Sequence, residues 1–309
     1  MKKKVALVLA SGGARGMAHI GAIEELESRG YEITSVAGCS VGSLIAGIYA
    51  SGKLQEAKEW FLSLDIQKIL SLGDFSLSKN YLVKGDRTVA AFKEIVPDCN
   101  IEDLPIPVSL VASDIIHNKE VVMESGSLFE AVRASVSIPL FFRPVRKEGM
   151  LLVDGGILNA CPLNRVHRRE GDILVAMNIS APDSLSVEHK ARQLPKFIDR
   201  LPDFIGDFVS ERLHEKAEED EIADSVTYAS LLSRMTDMMI QNNTVLMNKL
   251  VHPDILAEMP MNQYGTFDFD KAEEIIELGR KLMHDAINRY EGLEDTTMTI
   301  SKETGQTGI

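Results

Sequence analysis

The sequence predicts an α/β protein: a three-layer α/β/α fold around a mainly parallel central sheet, followed by a helical C-terminal region. Three observations carry this expectation. Two strand–loop–helix units follow one another at the start, Val5–Ala10 into Met17–Arg29 and Ile33–Ala37 into Val41–Ala50. Val5–Ala10 is a continuous apolar run and Ile33–Ala37 a largely apolar one, the pattern of strands buried on two faces, and successive units of this kind build a parallel sheet with helices on both sides. After Pro182 the composition changes, and long stretches at helical spacing replace the short apolar runs.

Taken in order, the first helix places Ile20, Ile23 and Leu26 on one side and stops at Gly30. Leu54–Leu72 and Asp86–Val96 read as helices. Val108–Ala112 and Val121–Glu124 read as short strands, and Leu128–Ser135 as a helix that ends before Pro139. Met150–Val153 is a strand running into Asp154-Gly155-Gly156, and Ile173–Ile179 reads as the last clear core strand. Leu185–Asp224 is polar and interrupted by Pro195 and Pro202. Ser225–Leu250 is an amphipathic helix carrying Met235, Met238, Met239 and Met247, and Asp270–Tyr290 is another. The organisation expected is a catalytic core over 1–182, a mostly helical part over 183–291 packed on it, and a fraying tail over 292–309.

Bulk properties narrow the function. The 309 residues carry a formal net charge of −13, a poor match to nucleic acid, whose phosphates require a basic footprint. Cys39, Cys99 and Cys161 are odd in number and match no zinc spacing, so they read as reduced thiols of a cytoplasmic protein. Lys2-Lys3-Lys4 precedes an apolar run too short for a signal peptide, and no run approaches the ~18 apolar residues of a membrane helix.

Gly38-Cys39-Ser40-Val41-Gly42 is a G-x-S-x-G sequence between a strand and a helix, the context of a nucleophile elbow. Ser40 is the candidate nucleophile, and Gly38 and Gly42 leave room for close backbone approach. A serine needs a base. The seven histidines, including His19, fall in helices or surface loops rather than in a sharp turn after a strand. Asp154 is the better candidate, because it closes a strand and Gly155-Gly156 turn the chain at once. Its alternative reading is a turn residue before two glycines. Gly12-Gly13-Ala14-Arg15-Gly16 follows the first strand, and its backbone N–H groups can converge on an anion. It reads either as an oxyanion hole or as an ordinary tight turn. Dinucleotide binding fails, since the glycines do not fall at G-x-G-x-x-G, and no Gly-Lys-Ser/Thr follows for a phosphate loop.

With these residues in place, the chain resembles the bacterial patatin-like phospholipases from Val5 to about Pro182. The glycine loop, the elbow on the second strand, Ala134-Ser135-Val136-Ser137-Ile138-Pro139 and Asp154-Gly155-Gly156 occur in family order. The later half, with Pro253-Asp254 and the final helix, is similar to the helical C-terminal part of some bacterial members. The resemblance implies a Ser40–Asp154 catalytic dyad and an oxyanion hole from Gly12, Gly13 and Ala14. It implies a phospholipid or lysophospholipid substrate and no metal or organic cofactor. Arg15 matches the family's basic residue and is expected to shape the loop. Ser11 departs from the family, where many members carry a third glycine.

Two further readings stand beside this one: a soluble carboxylesterase or thioesterase on the same residues, and a non-catalytic regulatory protein that keeps the fold. Phe197, Leu201, Phe204, Ile205 and Phe208 line one face of a segment near 194–213, read either as a lid or membrane-dipping element or as a packed helix. The expected location is cytoplasmic, with peripheral contact at the inner membrane face. Homo-oligomerisation stays open. Cys39 and the methionine stripe at 235–247 are expected to serve packing.

Overall fold

A computed structural model describes residues 3–64, 68, 81–184 and 228–293. The first half runs β1 (Lys3–Leu9), α1 (Ala18–Ser28), β2 (Tyr31–Cys39), α2 (Val41–Ala50), α3 (Leu54–Leu62), β3 (Tyr81–Val83), α4 (Asp86–Lys93), β4 (Val108–Asp114) and β5 (Lys119–Met123). The second runs α5 (Leu128–Ser135), β6 (Leu140–Phe142), β7 (Val145–Lys147), β8 (Met150–Asp154), α6 (Gly156–Asn159), β9 (Ile173–Ala181), α7 (Tyr228–Leu250), β10 (Ile255–Pro260) and α8 (Ala272–Glu291).

The main sheet has the order β10-β9-β1-β2-β4-β8-β7, with β5 paired to β4. The five strands from β10 to β4 are parallel, while β5, β8 and β7 join antiparallel. This is a mixed sheet with helices on both sides, whose parallel part contains the two strand–helix units expected at the start of the chain. Every residue of β1 from Val5 to Leu9 is fully buried, as are Ile20, Ile23, Ile45 and Ile48 of the first two helices. Burial of each such aliphatic side chain contributes roughly 1.5–3 kcal/mol. α1 packs on α8, and α2 lies against β2 beside α5. α6 and α7 pack together over β4, β5 and β9.

Two expectations need correction. Ile173–Ile179 is not the last core strand, because Ile255–Pro260 adds β10 in parallel beside β9. Its alternating burial, with Ile255, Ala257 and Met259 inward, marks a strand only half wrapped by protein. The methionine stripe does not pack as a unit. Thr244 is buried and Met247 rests on the core, whereas Met235, Met238 and Met239 are 50%, 69% and 42% exposed. The proposed lid segment near 194–213, most of Leu64–Leu72 and the tail beyond 293 lie outside the described residues. No helix among the described residues is long and apolar enough to cross a membrane.

Candidate active site

Ser40 sits between β2 and α2 with φ 56° and ψ −125°. A non-glycine residue held there stores strain of about 1–3 kcal/mol, which the surrounding structure must over-determine. Its N–H donates to Ser135 Oγ at 2.8 Å, and Ser135 Oγ donates to the Val111 carbonyl at 2.6 Å. Ser43 Oγ lies 2.7 Å from Ser135 Oγ and donates to the Gly38 carbonyl at 2.8 Å. The elbow is thus stitched to β4 and α5 through buried hydroxyls. Its glycines are sterically required. A Cβ on Gly42 would lie 2.1 Å from the Leu9 carbonyl oxygen, and one on Gly38 would lie 2.3 Å from the Gly42 carbonyl oxygen.

Asp154 reaches Ser40 by an unusual route. β2 pairs with β4 up to Cys39 opposite Val111, and β8 pairs antiparallel with β4 from Leu152 opposite Asp114 to Asp154 opposite Ala112. β5 occupies the other edge of β4 along this stretch. β2 and β8 therefore share one edge of β4 and run head to head, with Ser40 and Asp154 where they meet. Ser40 Oγ donates to Asp154 Oδ2 at 2.5 Å. Asp154 Oδ1 accepts the Gly156 N–H at 2.8 Å, and Asp154 N–H donates to the Ser137 carbonyl at 2.9 Å. A Cβ on Gly155 would lie 2.3 Å from the Val111 carbonyl oxygen, so only glycine lets the chain turn this close to β4. Burial pushes the Asp154 carboxyl up to about 6, against the opposing pull of its bonds from Ser40 and Gly156. A hydroxyl bonded to a buried carboxylate of this basicity is a pair able to exchange a proton near neutral pH.

The glycine loop borders the pair. Ser11 N–H donates to the Ala160 carbonyl at 2.8 Å, and the Ser11 carbonyl accepts from Ser180 Oγ at 2.7 Å. Gly13 adopts φ +58°. The N–H groups of Gly12 and Gly13 have no hydrogen-bond partner among the described residues. Ala14 differs, because its N–H donates to the Thr266 carbonyl at 2.8 Å and is already committed. Arg15 is 2% exposed, with Nε donating to the Ile179 carbonyl at 2.9 Å and a terminal nitrogen to the Tyr264 carbonyl at 2.7 Å. It ties the loop to β9 and to the segment before α8. Gly16 abuts Val41, where a Cβ would lie 2.2 Å from a Val41 methyl.

Other titratable groups are accounted for elsewhere. His19 Nε2 bonds the Ala10 carbonyl at 2.9 Å, and burial lowers its pKa to about 4, so it is a neutral structural residue. His117, His167 and His284 pair with Asp114, Glu124 and Glu25. No described histidine is hydrogen-bonded to Ser40. Burial, reinforced by the Asp154 charge, pushes the Cys39 thiol well above its ordinary range, which leaves it a packing residue. Among the described residues no group of three or more His, Cys, Asp or Glu could hold a metal ion.

Ser135 is the site residue that motif reading gave no role. It stood in a family-like segment, but its contact with the Ser40 N–H lies 95 positions away in sequence. Asp114 is another such residue. It accepts from Leu151 N–H at 3.2 Å and so fixes the start of β8.

The family model described as "Patatin-like phospholipase" matches residues 7–167. An "Uncharacterized NTE family protein" of Mycobacterium tuberculosis is 40% identical over 181 residues, covering 59% of this chain and 50% of that protein. Human "Patatin-like phospholipase domain-containing protein 6" is 28% identical over 284 residues, covering 89% of this chain and 20% of that one. The chain thus spans about half the length of the mycobacterial relative and a fifth of the human one. Among solved structures, VipD from Legionella pneumophila aligns with a TM-score of 0.41 at 16% identity, covering 92% of this chain and 67% of that one. With its family match spanning more than half of the sequence, from β1 past the Asp154 turn, this chain belongs to the patatin-like phospholipase family.

Proposed function

We propose that the chain is a serine lipid acyl hydrolase that cleaves fatty-acyl esters of phospholipids or lysophospholipids through a Ser40–Asp154 dyad. The observation that carries the reading is the 2.5 Å hydrogen bond from Ser40 Oγ to a carboxylate whose pKa burial has raised to about 6. As Ser40 Oγ attacks the ester carbonyl, its proton passes to Asp154 Oδ2. The N–H groups of Gly12 and Gly13 bind the oxyanion, each donor contributing about 10²–10³ in rate. The tetrahedral intermediate collapses, the alcohol leaves with the proton from Asp154, and Ser40 is left acylated. Water then attacks the acyl carbon and gives its proton to Asp154, which returns it to Ser40 as the fatty acid departs.

A helix with an exposed apolar face packs next to the pair, which supports a lipid substrate. Ile240 of α7 packs near Gly156, and Asn243 Nδ2 donates to the Ile157 carbonyl at 2.8 Å. The far side of the same helix exposes Leu231, Leu232, Met235, Met238 and Met239. An apolar face of that extent on the helix that borders the site supports peripheral contact with a lipid surface.

The test is covalent. A fluorophosphonate probe should label Ser40 of the purified protein, as mapped by mass spectrometry, and labelling should fall at least about 100-fold in Asp154→Asn. Unlabelled protein should release fatty acid from phospholipid vesicles faster than it hydrolyses dispersed short-chain esters, and prior labelling should abolish both activities. Absence of labelling in folded protein, with and without vesicles, overturns the reading.

A further inference from the structure

The main-chain contacts of Ser11, to the Ala160 carbonyl and to Ser180 Oγ, do not involve its own side chain. The side chain is nevertheless placed against the reacting pair. A Cβ built on Gly156 would lie 3.0 Å from Ser11 Oγ and 3.1 Å from Asp154 Oδ1, with Ile240 at 3.3 Å. The two oxygens therefore flank one point and are at most about 6 Å apart, a span that a single water bridges. Ser11 is 3% exposed. Its main chain is pinned on both sides, by the Ala160 carbonyl and by Ser180 Oγ, which fixes the point from which the hydroxyl projects. Among the described residues that hydroxyl has no hydrogen-bond partner. With no protein partner and yet not fully enclosed, the hydroxyl is open to a water beside the carboxylate.

Building on the dyad reading, we propose that Ser11 Oγ and Asp154 together hold the water that hydrolyses the acyl-serine, which makes Ser11 a catalytic residue of the second half-reaction only. The attacking water forms the new C–O bond, its proton goes to Asp154, and the bond from Ser40 Oγ to the acyl carbon breaks. Ser40 takes the proton back from Asp154 and the free acid leaves. Acylation needs no such water, so removing the Ser11 hydroxyl separates the two steps. Gly156 completes the arrangement by having no side chain in the notch between the two oxygens.

The experiment compares wild type with Ser11→Ala and Ser11→Gly, the second guarding against a folding effect particular to the first. Fluorophosphonate labelling of Ser40 reports acylation competence. Turnover of 4-nitrophenyl octanoate, quenched in acid and read by intact mass, gives the fraction of protein held as acyl-Ser40. Added methanol gives the ratio of methyl ester to free acid. Both variants should label at the wild-type rate within about twofold, lose about tenfold in hydrolytic turnover, accumulate acyl-Ser40 and shift product toward the methyl ester. A wild-type acyl fraction and product ratio in the variants overturns the proposal. So does labelling that falls in parallel with turnover, since that places Ser11 in loop support. Failure of the wild type itself to label at Ser40 removes the dyad reading and this one with it.

Discussion

Cys39 and Asp154 close two strands that meet head on along one edge of β4, opposite the neighbouring residues Val111 and Ala112. The strand carrying the carboxylate is antiparallel to the strand carrying the serine, so both C-terminal ends arrive at one point. A parallel β8 on the same edge would have carried Asp154 away from Ser40. The arrangement places the pair by backbone hydrogen bonding, which is stiffer than any loop.

On the proposed mechanism the ionisation of Asp154 governs both rate and stability. Activity requires the carboxylate, so kcat/KM should rise with pH through a limb near 6, the value to which burial lifts this group. A pH–rate profile flat from pH 5 to 8 would contradict it. The folded-state pKa lies above the ordinary 3.8, so the native state binds the proton more tightly than the unfolded chain. Stability from this group is therefore full below about pH 4 and declines as pH rises to 6. Asp154→Asn should match wild type at pH 4 and exceed it at pH 8, by up to about 3 kcal/mol, in urea titrations.

Ser135→Ala leaves the Ser40 N–H and the Val111 carbonyl without their shared partner. A loss of about 1–3 kcal/mol in unfolding free energy is expected, together with slower fluorophosphonate labelling as the strained elbow relaxes. Ser135→Ala with wild-type labelling and stability would show that the elbow holds itself.

Arg15→Lys keeps the charge but not the fork that reaches the Ile179 and Tyr264 carbonyls together. Thermal denaturation should fall by several degrees, and turnover should drop more than labelling does, because the loop donors lose their alignment. An unchanged Tm would remove the clamp from the account.

Replacing Met235 and Met238 with Ser tests the exposed face of α7. Vesicle sedimentation should show binding weakened by about tenfold, with turnover of a soluble ester within about twofold of wild type. Equal binding by wild type and variant would place membrane contact elsewhere on the molecule.

β1 and β2 were legible because each is an apolar-rich run followed by a helix start. Ser40, Asp154 and the glycine loop could be named because turn chemistry demands small residues at Gly38, Gly42 and Gly155 whatever the tertiary context. The direction of β8 was not legible, since Met150–Val153 reads the same in either orientation. β10 escaped because six residues between Pro253 and Met261 alternate too briefly to stand out, and only pairing with β9 gives them a partner. The commitment of the Ala14 N–H was beyond any local pattern, because its acceptor, Thr266, lies on the far side of the sequence. The exposed methionines of α7 mislead for the opposite reason: helical spacing reveals a stripe but not which side of it meets protein.

The head-to-head meeting of β2 and β8 also sets an order of assembly during synthesis. Ser40 leaves the ribosome 114 residues before the carboxylate it is hydrogen-bonded to, and the loop clamp awaits Tyr264 and Thr266. A nascent or prematurely ended chain thus carries the serine without its base. On the proposed mechanism reactivity arrives with the finished fold, so an incomplete product would carry a serine with no base to activate it.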